Sequence, residues 1–223
     1  MKTVNSENGS NPEHWKMFAE LGLLAIPFSE EHGGLGGGHT DLSLIFEEFG
    51  KAIVVEPYLA NVVLAGGVLK RSNLENADEL IAGIVSGETQ ISLANYEPMK
   101  GFNLDNVDTT ISSDGQINGT KSTVLNAGNA DHFLVFGKSG DGYAFGLVNK
   151  SSDGVKVVNY KTYDGFVSGD LVLENCKCDA VFSAENALEI LEETILDAIV
   201  CVSSEAVGAM EKSYKLTIEY TQQ

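Results

Sequence analysis

The spacing of apolar positions along this chain changes twice, near residue 88 and near residue 184. Before residue 88 the spacing is helical. Asn11 is a candidate N-cap with Pro12 at the first helical position, and Trp15, Phe18 and Ala19 share one face before Gly22. After the glycines at 33–38, Thr40 or Asp41 is placed to cap a second helix that turns Leu42, Ile45, Phe46 and Phe49 inward and stops at Gly50. Two further helices are expected over roughly 57–70 and 76–86.

From about residue 89 the pattern becomes a series of short β-rich runs: TQISLAN, VDTTIS, STVLNA, HFLVFG, YAFGLVN, VKVVNY and SGDLVLEN. Asp114-Gly115, Asn118-Gly119, Asp141-Gly142, Asp153-Gly154 and Asp164-Gly165 read as the turns between them. This spacing predicts an antiparallel barrel or sandwich. Beyond residue 184 one long helix is expected from Leu188 to Tyr220, with Ile195, Ala198, Ile199, Val202 and Ala206 on its recurring apolar face. The segment reaches TQQ without a glycine, cap or basic last turn, the pattern expected of a helix cut short.

Composition narrows the function classes. Fourteen basic against 32 acidic residues give a net charge of −18. Such a chain repels a polyanion, so a nucleic-acid partner is not expected. Arg71 is the lone arginine, which leaves few means of clamping a phosphate with side chains. The start is polar with no apolar signal core and no run approaches a membrane span, so a cytoplasmic protein is expected. Cys176, Cys178 and Cys201 form no disulfide framework or zinc spacing.

Local motifs do not identify a reaction. The run HGGLGGGH offers glycines ahead of a helix, but its flanks read as helical and the strand a dinucleotide fold needs is lacking, so it reads as a tight interhelical turn. His14, His32, His39 and His132 are dispersed and read as surface or loop residues. No G-x-S-x-G occurs. Glu189, Glu192, Glu193, Asp197, Glu205 and Glu211 read as the solvated face of the last helix.

Taken in order, the pieces W-x-x-F-A-E-L-G-L-L (15–24), E-E-H-G-G-L-G-G-G (30–38), E-E-F-G-K-A (47–52), S-G-E (86–88), L-A-x-x-E-P (93–98), N-G-x-K (118–121), A-D-H-F-L-V (130–135), D-G (164–165) and E-A-V-G-A-M (205–210) resemble the acyl-CoA dehydrogenase family. The resemblance implies an α+β chain of three parts: an N-terminal helical domain over 1–88, a middle β-domain over 89–183, and over 184–223 the first helix of a C-terminal helical bundle. It also implies FAD-dependent α,β-dehydrogenation of an acyl-CoA to a trans-2-enoyl-CoA. A carboxylate takes the α-proton and the β-hydride passes to the flavin. Electron-transfer flavoprotein is the implied acceptor.

The family's flavin segments fall on Asn95, Tyr96, Gly101 and Phe102 and on Thr123 and Leu125. Tyr96 stands where a threonine is usual, Phe102 where a serine is, Thr123 replaces an aromatic, and Leu125 replaces a hydroxyl that meets the ring near N5. Each lost hydroxyl costs about 1–3 kcal/mol in a buried site, so flavin is expected to be held weakly or shared with a partner. The pattern is similar to partner-type subunits of bacterial heteromeric acyl-CoA dehydrogenases that act on sterol side chains or other bulky acyl groups. A non-catalytic partner subunit is the alternative implication, and the chain is expected to be inactive alone. The base is expected in the C-terminal domain. Members that place it on the last helix seen here put it near Ala198, with Asp197 one position off.

Overall fold

A computed structural model describes residues 9–222 except Glu75 and Ala184. Helix α1 (Pro12–Glu20) begins as its sequence requires, with Asn11 Oδ1 accepting from the Glu13 amide at 3.0 Å. Helix α2 (His39–Ala52) is capped differently from expectation. Gly38 is the N-cap and its own amide donates to Asp41 Oδ2 at 2.8 Å. Gly50 does not end this helix. A Cβ there would lie 1.9 Å from the Glu205 carbonyl, so the glycine permits a close helix crossing. The expected helix over 57–70 is a π-helical segment, Leu59–Ala65, running into α3 (Gly66–Leu69). Helix α4 (Ala77–Ser86) closes on Gly87 in the left-handed conformation.

The sheet comprises β1 (Ile91–Ala94), β2 (Thr110–Ile111), β3 (Gln116–Leu125), β4 (His132–Ser139), β5 (Gly142–Asn149), β6 (Val155–Lys161), β7 (Val167–Lys177) and β8 (Ala180–Ser183). Its order is β6-β7-β3-β2-β4-β5-β8, with β1 also on β4. The expected β-domain is present and mostly antiparallel, with two parallel pairings in it. β1 and β2 both run parallel to β4, end to end along one of its edges. Alternation along a strand reports which face is buried and carries nothing about a partner's direction. Asn118-Gly119, expected as a turn, lies inside β3 at a register shift, where a Cβ on Gly119 would meet Thr109 Oγ1 at 2.4 Å.

Strand β4 is covered on both faces, which is why its sequence reads as an unbroken apolar run. Phe133 and Val135 enter a core inside the sheet with Ile117, Leu171 and Cys176, while Leu134 and Phe136 join the core formed with the helices. Buried Asn61 ties the two layers together. Its Oδ1 accepts from the Ile91 amide at 2.8 Å and its Nδ2 donates to the Thr89 carbonyl at 3.2 Å.

Helix α5 (Ala187–Thr221) crosses α2 through a second glycine, Gly208, whose Cβ would lie 1.9 Å from the Glu47 carbonyl. Its buried positions are Ala187, Ile190, Leu191, Thr194, Asp197, Ala198, Cys201 and Gly208. Ile199 and Val202, expected on that face, are about half exposed at 54% and 47%. Among the described residues no helix is long and apolar enough to cross a membrane.

Candidate functional site

A cavity of about 420 Å³ opens where α2, the segment entering the π-helix, the end of β3, the β6–β7 turn and α5 converge. Phe46, Phe49, Tyr58 and Phe166 supply aromatic walls, and Leu125, Val167 and Val202 aliphatic ones. The β3 side is shaped by a bulge between Lys121 and Val124. At this bulge Thr123 takes a φ of 54°, a strained conformation for a β-branched residue that costs on the order of 1–3 kcal/mol. Thr123 is held there by its amide, which donates to Asp170 Oδ1 at 3.2 Å.

Of the six positions expected to meet a cofactor, the structure brings Thr123 and Leu125 to this cavity, with Asn126 beside them. Tyr96 and Phe102 lie elsewhere, in edge-on contact at 6.1 Å, and Phe102 is 89% exposed. Gly101 sits in the same exposed loop at a φ of 68°. Asn95 is buried, and its Nδ2 has no hydrogen-bond partner among the described residues.

Two of the motif residues make a buried clamp. Lys121 Nζ donates to Glu97 Oε1 at 2.7 Å and to the Asn95 carbonyl at 3.3 Å, and Glu97 also accepts from the amides of Asp108 (2.6 Å) and Thr109 (2.9 Å). Burial acts upward on the Glu97 carboxyl, but the Lys121 ammonium and the Thr109 and Asp108 donors outweigh it and hold it down at about 2. Burial lowers the Lys121 ammonium to about 8 against the pull of Glu97. The clamp fixes both ends of the 95–109 segment to β3. Its residues are thereby spent on structure.

Asp197 lies outside the cavity. Arg71 Nη2 donates to its Oδ2 at 2.8 Å and His39 Nε2 meets its Oδ1 at 2.7 Å. Burial opposes its ionisation, yet Arg71 and His39 prevail and leave its carboxyl below the usual range. Such a carboxylate is a poor proton acceptor. Ala198 is packed in the core. Glu205, expected on the solvated face of α5, is half-buried and lines the cavity. It accepts no hydrogen bond among the described residues, and burial, followed by the charge of Asp164, pushes its carboxyl upward. One signal was legible: Glu205 stands seven residues beyond Ala198, two helical turns along the same face.

Three of the histidines expected as isolated surface groups contact carboxylates: His14 meets Glu56 at 2.9 Å, His32 meets Asp78 at 2.9 Å, and His39 meets Asp197. No cluster suited to a metal occurs among the described residues. The glycine run is a turn, as its flanks suggested. The amides of residues 33–38 are all spent: Gly33 on Glu30, Gly34 on Ser29, Leu35 on Ala25, Gly36 on Phe28, Gly37 on Ile26 and Gly38 on Asp41. None is left to cradle a phosphate.

Residues 1–88 match the family model "Acyl-CoA dehydrogenase, N-terminal domain". A curated relative, acryloyl-CoA reductase (NADH) of Anaerotignum propionicum, is 24% identical over 97% of this chain. Among solved structures, the ChsE4–ChsE5 complex from Mycobacterium tuberculosis superposes with a TM-score of 0.86 at 24% identity over 98% of the chain. PigA with FAD and proline gives a TM-score of 0.86 at 24% identity over 94%. The chain spans 60% of the length of each of these three proteins. Residues 1–88 thus carry the acyl-CoA dehydrogenase N-terminal domain, and the chain along its length has the fold of these solved structures.

Proposed function

We propose that this chain is an acyl-CoA dehydrogenase-type oxidoreductase subunit that holds FAD against the β3 bulge, with the reactive end of an acyl-CoA thioester beside α5. The observation that carries this reading is the cavity itself, which places Thr123 and Leu125 opposite α5 between aromatic walls. A flat, largely apolar ring system fits such walls. FAD, when bound, supplies a two-electron acceptor for the hydride leaving the acyl β-carbon.

The chain's own residues prepare the site. Phe46, Phe49, Tyr58 and Phe166 keep water from the reacting thioester. Thr123 offers a hydroxyl from a backbone fixed by the bulge. Lys121 and Glu97 pin the 95–109 segment to β3, the strand that carries Thr123 and Leu125. The reaction proposed is conversion of an acyl-CoA to its trans-2-enoyl thioester, with electron-transfer flavoprotein as acceptor and the cytoplasm as compartment. The naming of one relative as an acryloyl-CoA reductase and the presence of FAD in the PigA structure support a thioester and a flavin here.

A second reading, a partner subunit that completes a heteromeric enzyme, is favoured by the apolar side chains that α5 leaves exposed. Leu196 (61%), Val207 (51%), Met210 (62%) and Tyr214 (66%) are among them. The ChsE4–ChsE5 complex supports it. The visible absorbance spectrum separates the two readings. The protein is purified alone and then co-expressed with any acyl-CoA dehydrogenase encoded beside it. A flavin band from the chain alone, bleached by an acyl-CoA, is the outcome expected for a self-sufficient subunit. Flavin that appears only with the partner establishes the second reading, and none in either preparation overturns both.

A further inference from the structure

The bulge in β3 that borders the cavity sets two residues, Ser122 and Thr123, opposite the single residue Asp170 of β7, between the pairs Lys121–Leu171 and Val124–Gly169. Neither of the two amides finds a carbonyl across the ladder. The Ser122 amide turns to the Tyr96 carbonyl at 2.9 Å, and the Thr123 amide donates to the side chain of Asp170, at Oδ1, over 3.2 Å. The same oxygen accepts from the Tyr160 hydroxyl at 2.9 Å. Val158 of β6 stands directly across from Asp170, which puts Tyr160, two residues on, at the diagonal position of the same sheet face. A side chain thus takes the part of the missing ladder carbonyl, and the neighbouring strand holds that side chain in place.

This arrangement secures a free hydroxyl at the cavity. Tyr58 donates its hydroxyl to the Leu23 carbonyl, Thr162 donates to Asp164, and Asn126 is tied to Gln90 and Asn129. Of the hydroxyls that line the cavity, those of Thr123 and Ser10 have no partner among the described residues, and of the two only Thr123 stands on a strand. A φ of 54° is a conformation that a β-branched residue leaves unless its backbone is anchored. Asp170 is that anchor. We propose that Asp170, held by Tyr160, is a positioning residue of this site, fixing Thr123 so that its free hydroxyl is presented to the flavin bound in the cavity. The inference rests on the flavin reading above. Asp170 does not itself line the cavity, so it acts through Thr123.

Flavin affinity and the flavin spectrum read this role without turnover. The protein, alone or with its co-expressed partner, is stripped of flavin and titrated with FAD by calorimetry, and the visible band of the reloaded protein is recorded. Thr123→Val removes the hydroxyl and keeps the shape, and Asp170→Ala releases the amide. Each is expected to weaken FAD binding about 10-fold, the loss of one hydrogen bond, and to shift the flavin band. The double variant should lose no more than either single one, because both remove the same interaction. Asp170→Asn keeps an acceptor oxygen and should bind FAD within about 3-fold of the unaltered protein, and Tyr160→Phe should weaken binding by about 3-fold. Where Asp170→Ala does not fold, Tyr160→Phe combined with Thr123→Val completes the same cycle. Unchanged affinity and spectrum in Thr123→Val, losses that add in the double variant, or Asp170→Asn as weak as Asp170→Ala overturns the assignment of Asp170 alone. Failure of the unaltered protein to take up FAD, alone or with its partner, overturns the flavin reading beneath it.

Discussion

Glu97 and Glu205 are the same residue in two settings, one in the sheet clamp and one in the interlayer cavity. Glu97 is more deeply buried, yet its carboxyl is held down at about 2, while the half-buried Glu205 is pushed up. Depth alone would give the reverse order. The difference lies in donors: Glu97 has an ammonium and two backbone amides within 2.9 Å, and Glu205 has none. A carboxylate whose lone pairs are filled by the fold serves the fold. One left unfilled beside a cavity is free for a ligand.

The largest effect expected from breaking this contrast is at Lys121. Lys121→Met strands the Glu97 charge in the sheet and should destabilise the protein by about 3–5 kcal/mol, measured by urea denaturation. Gly208→Ala tests the helix crossing that sets one wall of the cavity. With its Cβ 1.9 Å from the Glu47 carbonyl, it should cost about 1–3 kcal/mol and widen the separation of α2 and α5.

Acid titration sharpens the comparison further. The folded-state value for Glu97 lies below the ordinary one of 4.5, so its contribution is complete above about 4.5 and is lost as the pH falls toward 2. Glu97→Gln should flatten that part of the stability curve. Glu205 has the opposite sign, because its raised folded-state value means that ionisation in the fold costs stability as the pH rises. Glu205→Gln should therefore leave stability at neutral pH unchanged within about 0.5 kcal/mol or raise it slightly, the smallest effect of the four, read by thermal denaturation. A large loss there would show that Glu205 has a structural partner.

Much of the helical part was legible because periodicity and caps act locally. Asn11 caps α1 and Gly87 closes α4, both from signals within a few residues. Strand β8 went unread because its four residues carry no flanking turn pair. Gly50 reads in the sequence as a helix end, and Gly208 carries no signal of its own. Their role is to let two backbones meet, and they lie 158 positions apart in the chain. Glu205 reads in the sequence as a solvated acid because a helical face has no sign of its own until something packs against it. Thr123 and Leu125 were located through the resemblance and share the cavity, whereas Tyr96, Gly101 and Phe102 sit on an exposed loop whose course depends on the Glu97–Lys121 pair.

By itself the sequence determined the succession of helices, strands and final helix, the absence of a phosphate-binding glycine motif in a suitable context, and the likeness to the acyl-CoA dehydrogenase family. These follow from local spacing and residue order, which each segment carries within itself. Only the tertiary structure decided the parallel pairing of β1 and β2 with β4, the two glycine contacts between α2 and α5, and which carboxyl groups are filled and which are free. Each of these depends on atoms far apart in the chain arriving within a few ångströms of one another, and burial and pairing acquire a sign only at that distance.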